Sequence, residues 1–302
     1  MKSVIQKIEI STLKNSGVEW YIKREDLLHP TISGNKFRKL KYNIEKAKER
    51  ELPILTFGGA FSNHIAATAA AGKEYGIETI GVIRGEEVEN PTLNLARENG
   101  MKLHFVSRDD YREKEEKWFQ NELRNELGNF YLIPEGGSNY LAITGCLEIL
   151  NNEDDFDYVV SALGTGATFS GIVLSLKEHQ KAVGIPVLKG DFLSKEVDKF
   201  LYQILMDFDE VEDYKEQSEL INDYHFGGYA KWKPELIDFM KLFYKKTGIK
   251  TDPVYTGKVA YAIHDLILKS HFPKGSKILM IHTGGLQGVS GFENRFKLTI
   301  FD

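Results

Sequence analysis

The sequence contains a single cysteine, Cys146, in 302 residues. A lone cysteine excludes an internal disulfide and therefore a disulfide-stapled fold, which favours a reducing compartment. Long hydrophobic runs are also missing, because no apolar stretch approaches the ~18–20 residues of a membrane span. The first residues, MKSVIQKIEISTLKN, lack the continuous apolar run of a signal peptide. These absences predict a cytoplasmic protein without a membrane partner.

Strong charge of one sign is absent as well, since 39 basic and 44 acidic residues give a net charge of −5. Such a chain has no electrostatic reason to bind nucleic acid. Several histidines are scattered without the spacing of metal ligands: His29, His104, His179, His225 and His271. We therefore expect no metal site, and the sequence also lacks the Gly-x-Ser-x-Gly motif of serine hydrolases.

The hydrophobic content of 42% and the charged content of 27% are those of an ordinary globular protein. From residue 53 onward, strand-like and helix-like patterns alternate, which predicts an α/β fold with a largely parallel sheet. The predicted strands cover residues 53–57, 79–83, 102–106, 130–133, 158–163 and 278–282. Because no flexible linker is visible, we expect a smaller domain at residues 51–140, inserted into a larger domain made of residues 1–50 and 141–302.

Three of the predicted strands end in glycines: Gly58-Gly59, Gly164-Thr165-Gly166 and Gly284-Gly285. Ligands of open parallel sheets bind at such strand ends. Residues 164–168 lead directly into a helix, so their N–H groups and the helix N-terminus could bind an anion. An ordinary strand-to-helix turn explains the same residues equally well. A nicotinamide cofactor is disfavoured, because Phe169 stands where the dinucleotide fingerprint needs its third glycine.

The segment SGNKFRKL (33–40) opens a predicted helix, with Asn35 or Ser33 as its cap. Its apolar stripe consists of Phe37, Leu40, Ile44 and Ala47. Lys36 lies beside this stripe in the first turn, where burial and the helix dipole lower the pKa of an amine and favour a nucleophile. A lysine that extends along apolar surface to reach water fits the same position. Water-facing positions are predicted for Lys39, Lys46 and Arg50.

A second polar cluster, Ser62-Asn63-His64, stands at the start of a helix predicted for residues 63–75. Ser62 is suited to cap this helix, and the same first turn could equally present its N–H groups to a carboxylate. Another predicted helix starts near Tyr255, and a lone tyrosine in such a place more often serves packing than catalysis. A further amphipathic helix is expected across residues 109–127.

Together these segments resemble the family of D-cysteine desulfhydrase and 1-aminocyclopropane-1-carboxylate (ACC) deaminase. The resemblance is carried by KREDL (23–27), SGNKFRKL (33–40), SNH (62–64), DPVYTGK (252–258) and HTGG (282–285). The family uses pyridoxal 5′-phosphate (PLP) and has the tryptophan-synthase-β fold, known as fold type II, which implies two open, twisted, largely parallel sheets. The sequence departs from the family pattern at Phe61, Ile65 and Ala66.

The resemblance implies a role for each matching position. Lys36 would form the Schiff base with PLP and move the α-proton, Asn63 would bind the 3′-oxygen, and Thr283 would approach the pyridine nitrogen. The phosphate would be held by Gly164, Thr165, Gly166, Ala167 and Thr168. The substrate would be bound by Ser62, Asn63, His64, Tyr255 and Thr256, with Ser62 and Tyr255 also acting in catalysis.

The activity implied is α,β-elimination on D-cysteine, which yields pyruvate, hydrogen sulfide and ammonia. The alternative is deamination of ACC to 2-oxobutyrate and ammonia. ACC deaminases have Glu and Leu where this chain has Thr256 and Thr283, which favours the elimination. A non-catalytic binding protein is disfavoured, because it would not need the amine of Lys36. The resemblance also implies a homodimer.

Overall fold

A computed structural model describes residues 2–301. The strands among these residues are β1 (Ile5–Ile8), β2 (Glu19–Lys23), β3 (Ile54–Gly59), β4 (Thr79–Arg84), β5 (Lys102–Val106), β6 (Tyr131–Ile133), β7 (Tyr158–Leu163), β8 (Lys181–Pro186), β9 (Ser218–Leu220) and β10 (Lys277–Ile281). The α-helices are α1 (Asn35–Glu49), α2 (Asn63–Tyr75), α3 (Pro91–Glu98), α4 (Lys117–Leu127), α5 (Tyr140–Cys146), α6 (Ala167–Val173), α7 (Phe192–Leu205), α8 (Phe208–Glu216), α9 (Pro234–Thr247), α10 (Thr256–Leu268) and α11 (Val289–Phe296). No helix in this part of the chain is both long enough and apolar enough to cross a membrane.

The strands form two sheets. One has six strands in the order β1-β2-β10-β7-β8-β9, and the other has four in the order β5-β4-β3-β6. Every pairing is parallel except that of β1 with β2. The central strands β3, β4, β7 and β10 are almost entirely buried, as parallel strands covered by helices on both faces must be. The predicted α/β fold with two largely parallel sheets and flanking helices is confirmed.

Helix α1 packs its apolar stripe beside the four-stranded sheet. Its residues Leu40 and Ile44 share a buried cluster with Ile54 of β3, Ala67 of α2 and Ile133 of β6. The sequence had assigned α1 to the larger domain, on the other side of a boundary at residue 50. Contacts of this stripe thus tie the helix to the smaller sheet, and the exact domain division remains a prediction.

The amphipathic helix expected across residues 109–127 is shorter than predicted. A 3₁₀ turn occupies Asp110–Glu113, and α4 begins only at Lys117. The hydroxyl of Ser107 accepts a hydrogen bond from the N–H of Asp110 and so starts a separate turn. This turn buries Tyr111 against Phe57 of β3, with ring centroids 6.0 Å apart. Tertiary packing of one aromatic ring therefore interrupts the helical pattern.

Candidate active site

The carboxyl ends of strands from both sheets border one cavity of about 780 Å³. Its lining includes Gly59 and Arg84, which end β3 and β4, and Gly164 and Thr283, which follow β7 and β10. A second cavity, of about 60 Å³, shares Lys36 and several other lining residues with the first. We call them the outer and inner cavity. Their position at the strand ends is where open parallel sheets bind ligands.

Most of the predicted site residues meet at these cavities. Those that line one or both are Lys36, Ser62, Asn63, His64, Gly164, Thr165, Gly166, Thr168, Tyr255 and Thr283. Ala167 and Thr256 line neither cavity. Ala167 is fully buried as the first residue of α6. The hydroxyl of Thr256 donates to Asp252 Oδ1 at 2.8 Å and accepts from the N–H of Asp252 at 2.8 Å, so it is turned into the protein.

Lys36 lies in the first turn of α1, and its Nζ donates a hydrogen bond to the carbonyl oxygen of Gly136 at 3.4 Å. Removal of the amine from water lowers the pKa of Lys36 well below its ordinary value, and the charge of Lys39 lowers it further. A lowered pKa increases the neutral, nucleophilic fraction of an amine near neutral pH. The structure thus places a reactive amine at the junction of the two cavities.

The prediction that Lys39 faces water is wrong. Its side chain is buried, with 2% of the residue exposed, and its Nζ donates to the same Gly136 carbonyl at 3.0 Å. Burial lowers the pKa of Lys39 to about 8. Sequence reasoning missed this residue, although the signal was available. Positions three apart lie on one helix face, so a lysine three residues after Lys36 follows it into the inner cavity.

The cap predicted for α1 is also wrong, because Gly34 occupies the N-cap position with φ of 66° and Asn35 is the first helical residue. A Cβ at Gly34 would lie 2.0 Å from the carbonyl oxygen of Thr283, so only glycine fits. The Asn35 N–H donates to that same carbonyl oxygen at 3.2 Å. The Asn35 side-chain amide donates to Thr168 Oγ1 at 2.8 Å. These contacts tie the start of α1 to the six-stranded sheet.

Helix α2 begins at the wall of the outer cavity. The Ser62 hydroxyl accepts a hydrogen bond from the N–H of Ile65 at 3.4 Å, which confirms that Ser62 caps this helix. His64 is 1% exposed, and its Nε2 lies 2.8 Å from Thr56 Oγ1. Because the Thr56 hydroxyl donates to the carbonyl oxygen of Ile133 at 2.8 Å, His64 Nε2 must be the donor in this pair.

His64 Nδ1 is therefore a bare acceptor, and it has no hydrogen-bond partner among residues 2–301. Burial lowers the pKa of His64 well below its ordinary value, and the positive charges of Lys36 and Lys39 add to the effect. The imidazole is consequently neutral at physiological pH. It cannot itself supply a positive charge to a substrate carboxylate.

Tyr255 precedes α10 and lines both cavities. Burial raises the pKa of Tyr255 well above its ordinary value, and the neighbouring Tyr229 and Asp252 raise it further. The phenol therefore keeps its proton throughout the physiological range. The ring of Tyr229 meets that of Tyr255 edge to face, with centroids 6.2 Å apart. Tyr255 is thus held in place as a potential proton donor.

Comparison with known proteins decides the family. The sequence profile of the family described as pyridoxal-phosphate dependent enzyme matches residues 5–284. The chain belongs to this family. It is accordingly a PLP-dependent enzyme, as the resemblance predicted, and its cofactor is pyridoxal phosphate.

Curated relatives of this PLP-dependent enzyme have two activities in their names. A putative ACC deaminase of Pyrococcus abyssi is 33% identical, over 90% of this chain and 86% of that protein. A bifunctional D-cysteine desulfhydrase and ACC deaminase of Arabidopsis thaliana, named as mitochondrial, is 33% identical over 91% of this chain and 74% of that protein. A D-cysteine desulfhydrase of Klebsiella pneumoniae is 29% identical over 89% of this chain and 87% of that protein.

A crystal structure described as an ACC deaminase homologue superposes on this PLP-dependent enzyme with a TM-score of 0.83 and 30% identity, over 98% of this chain and 93% of that one. A PLP-dependent aspartate racemase superposes with a TM-score of 0.69 over 94% of this chain and 90% of that one. At 17% identity the racemase shows only that the fold is shared. The fold prediction and the predicted cofactor agree with these matches.

The inner cavity fits the phosphate of PLP chemically. It is lined by Lys36 and Lys39, neither of which forms an ion pair within residues 2–301, and no aspartate or glutamate lines it in that part of the chain. The amine of Lys39, buried without a counter-ion in that part of the chain, favours an anion. Gly166 keeps the adjoining loop open, since its φ of 95° suits glycine and a Cβ there would lie 3.2 Å from the ring of Phe200.

Proposed function

We propose that this PLP-dependent enzyme eliminates the thiol of D-cysteine, converting D-cysteine and water to pyruvate, hydrogen sulfide and ammonia. The observation that carries the proposal is that Thr283, the residue proposed to approach the pyridine nitrogen, offers a hydroxyl and lines both cavities. A carboxylate beside the pyridine nitrogen would strengthen electron withdrawal, whereas a hydroxyl only shares a hydrogen bond. Expulsion of a thiolate needs less electron withdrawal than opening a cyclopropane ring, because the leaving group carries away the charge.

The cofactor is proposed to be held by residues from both sheets. Lys36 provides the covalent attachment, and residues 164–168 with Lys39 and Asn35 bind the phosphate. Asn63, whose side chain lies beside Gly285, binds the 3′-oxygen, and Thr283 approaches the pyridine nitrogen. When bound, pyridoxal phosphate accepts the electrons of the broken Cα–H bond.

The substrate carboxylate is proposed to bind at the start of α2. The Ser62 hydroxyl and the N–H groups of Asn63 and His64 are located there, and all three residues line the outer cavity. The N-terminus of a helix of this length attracts an anion because its first N–H groups have no partner within the helix. Because the imidazole of His64 is neutral, His64 contributes only its backbone N–H, and the partial positive charge comes from the N-terminus of the helix.

Lys36 and Tyr255 are proposed to move the protons. The lowered pKa of Lys36 leaves its amine able to accept the α-proton near neutral pH. The raised pKa of Tyr255 leaves its phenol protonated, so that it can donate to the departing thiolate. A base and an acid with oppositely shifted pKa values therefore stand on the wall of the same cavity.

Deamination of ACC to 2-oxobutyrate and ammonia is the second candidate. It is favoured by the names of the Pyrococcus abyssi relative and of the superposed crystal structure. The Arabidopsis thaliana relative is named for both activities, so the two reactions are compatible within one family. Substrate assays distinguish the elimination of D-cysteine from the deamination of ACC.

The test is product analysis of the purified enzyme with D-cysteine, L-cysteine and ACC supplied separately. We expect hydrogen sulfide and pyruvate from D-cysteine, and little or no 2-oxobutyrate from ACC. Lys36→Ala serves as the control for reactions that do not need the enzyme's amine. Efficient formation of 2-oxobutyrate from ACC, without sulfide from D-cysteine, would establish the second candidate instead.

We further propose that the enzyme is a homodimer and acts in the cytoplasm. The resemblance of its motifs to the family supports the dimer, and a lone cysteine, Cys146, is in keeping with a reducing compartment. Light scattering coupled to size-exclusion chromatography tests the dimer. A dimer has twice the chain mass of about 34 kDa, so a measured mass of about 34 kDa would contradict it.

A further inference from the structure

The outer cavity is positively charged. Its ionisable lining, apart from tyrosine and the neutral His64, consists of Lys36, Arg84, Arg108, Lys231, Arg295 and Glu135. Apart from Lys36, whose amine is taken up by the cofactor in the proposed holoenzyme, four basic groups face one acidic group among residues 2–301. The substrates considered above have one carboxylate, and the start of α2 already accounts for it.

Arg84 is an exposed basic residue at a strand end of this wall. It ends β4, and its guanidinium lies near the end of β3, since a Cβ at Gly59 would be 3.7 Å from its terminal nitrogen. The guanidinium also lies over the ring of Tyr111, 5.6 Å from the ring centroid. Tyr111 is 3% exposed and therefore forms a rigid platform. This stacking restricts the orientation of a planar group that has five N–H donors.

The one carboxylate in the lining does not neutralise Arg84. Glu135 lies 3.6 Å from the amine of Lys114, and that amine is placed over the ring of Tyr111, 5.3 Å from the ring centroid. Within residues 2–301, Arg84 forms neither an ion pair nor a hydrogen bond to a side chain or carbonyl. An oriented guanidinium without a partner, in a concave wall, is suited to a carboxylate or phosphate.

The outer cavity also has more room than cysteine or ACC requires. Its volume of about 780 Å³ lies in the upper part of the ~300–1,000 Å³ range of pockets that hold drug-sized ligands. Phe61 lies in its wall, where the family pattern has a glutamine, and Trp232 lies in the lining as well. These rings add apolar surface to the lining.

We propose that the outer cavity binds an amino acid whose side chain ends in a second anionic group, which Arg84 holds. The proposal rests on the proposed function for the amino-acid half of the ligand and adds the class of side chain. Bidentate pairing of guanidinium with carboxylate or phosphate supplies the recognition, and Lys231 and Arg295 raise the local positive potential. Arg84 thereby widens the range of amino acids that the site accepts beyond D-cysteine, and it takes no part in the proton transfers.

The experiment is calorimetric titration of the holoenzyme with glutamate and glutamine. These two amino acids have the same shape and differ in side-chain charge, and neither carries a β-leaving group, so binding is read without elimination. Both enantiomers are titrated. 2-Amino-4-phosphonobutyrate, which has no β-leaving group, is added as a second anionic probe, to distinguish a carboxylate subsite from a phosphate subsite. The turnover of D-cysteine is measured separately, so a failure of the proposed function leaves the comparison of the two probes intact.

We expect the wild-type holoenzyme to bind glutamate at least about tenfold more tightly than glutamine. Arg84→Gln should remove this preference, and Arg84→Lys should keep part of it because the charge remains. Arg112→Gln is the matched control, because Arg112 is exposed, lines neither cavity and pairs with Asp109. The proposal would be overturned by equal affinity for glutamate and glutamine, or by no binding of either. A preference for glutamate that survives Arg84→Gln would overturn it as well.

Discussion

The ammonium group of Lys258 donates a hydrogen bond to the carbonyl oxygen of Gly228 at 2.9 Å. A second hydrogen bond from the same ammonium reaches the carbonyl oxygen of His225 at 2.8 Å. The loop between these carbonyls contains positive φ angles, including 54° at Phe226. It leads directly to Tyr229, whose ring contacts that of Tyr255. A buried lysine on α10 thus fixes a strained loop in the cavity wall.

Lys258→Met should loosen this loop, because two carbonyl groups lose their donor while the apolar volume is kept. We expect the free energy of unfolding to fall by about 1–3 kcal/mol. Urea denaturation measures this loss, and hydrogen exchange should show faster exchange in residues 225–232. Lys269→Met is the control, because Lys269 is exposed and pairs only at the surface. A stable variant with unchanged exchange would contradict the anchoring role.

Lys36→Ala should abolish the covalent attachment of the cofactor. The purified wild-type enzyme should be yellow, and borohydride reduction followed by peptide mapping should locate the adduct on Lys36. Lys39→Ala is the informative control, since it removes the neighbouring amine and should leave the adduct on Lys36. A reduced adduct mapped to Lys39, or to any other lysine, would contradict the assignment.

Lys39 should make the stability of the cofactor-free protein depend on pH. Its pKa is about 8 in the folded protein and lies near 10.5 in the unfolded chain, so the unfolded state binds more protons between these values. The contribution of Lys39 to the free energy of unfolding therefore rises with pH. Relative to Lys39→Met, the wild type should gain roughly 2 kcal/mol of unfolding free energy between pH 7 and 9.5. Exposed Lys46, replaced by Met, should show no such gain.

Thr168→Val should weaken the cofactor site. The substitution keeps the shape of the side chain but removes the hydroxyl that accepts a hydrogen bond from Asn35. Spectrophotometric titration of the cofactor-free protein should show affinity reduced about tenfold. Thr144→Val, on the exposed face of α5, is the control. Gly166→Val is a poorer test, because the φ of 95° makes a folding defect expected as well. Unchanged affinity in Thr168→Val would place the phosphate elsewhere.

Thr256→Val should destabilise the fold without acting directly on substrate. It removes a buried hydroxyl that bonds both the carboxylate and the N–H of Asp252, at an expected cost of about 1–3 kcal/mol. Thr256→Ser keeps both hydrogen bonds and should lie close to the wild type in thermal denaturation. Thr256→Glu should be worse than valine, since a second carboxylate would be buried beside Asp252. Equal stability of the serine and valine variants would contradict this account.

Local patterns predicted much of the chain well. The helix at residues 63–75 and the strand at 158–163 coincide with α2 and β7, because each has one dominant pattern and a capping residue or glycines at its boundary. The cap of α1 was predicted incorrectly, because the choice of Gly34 depends on the Thr283 carbonyl of a distant strand end. Lys39 was misplaced for a similar reason, since its burial depends on the Gly136 carbonyl.

By itself, the sequence determined the α/β class, the position of the glycine-marked strand ends and the family of the enzyme. These follow from periodicity and from motifs that are each local in the chain. Only the tertiary structure decided which polar side chains share a cavity. It brought Lys39 beside Lys36, turned Thr256 toward Asp252, and left Arg84 without an ion-pair or hydrogen-bond partner among residues 2–301. The burial of Lys39 depends on the Gly136 carbonyl, which is far away in sequence, and the Thr256–Asp252 pair, although only four residues apart, depends on a buried turn whose desolvation no local pattern encodes.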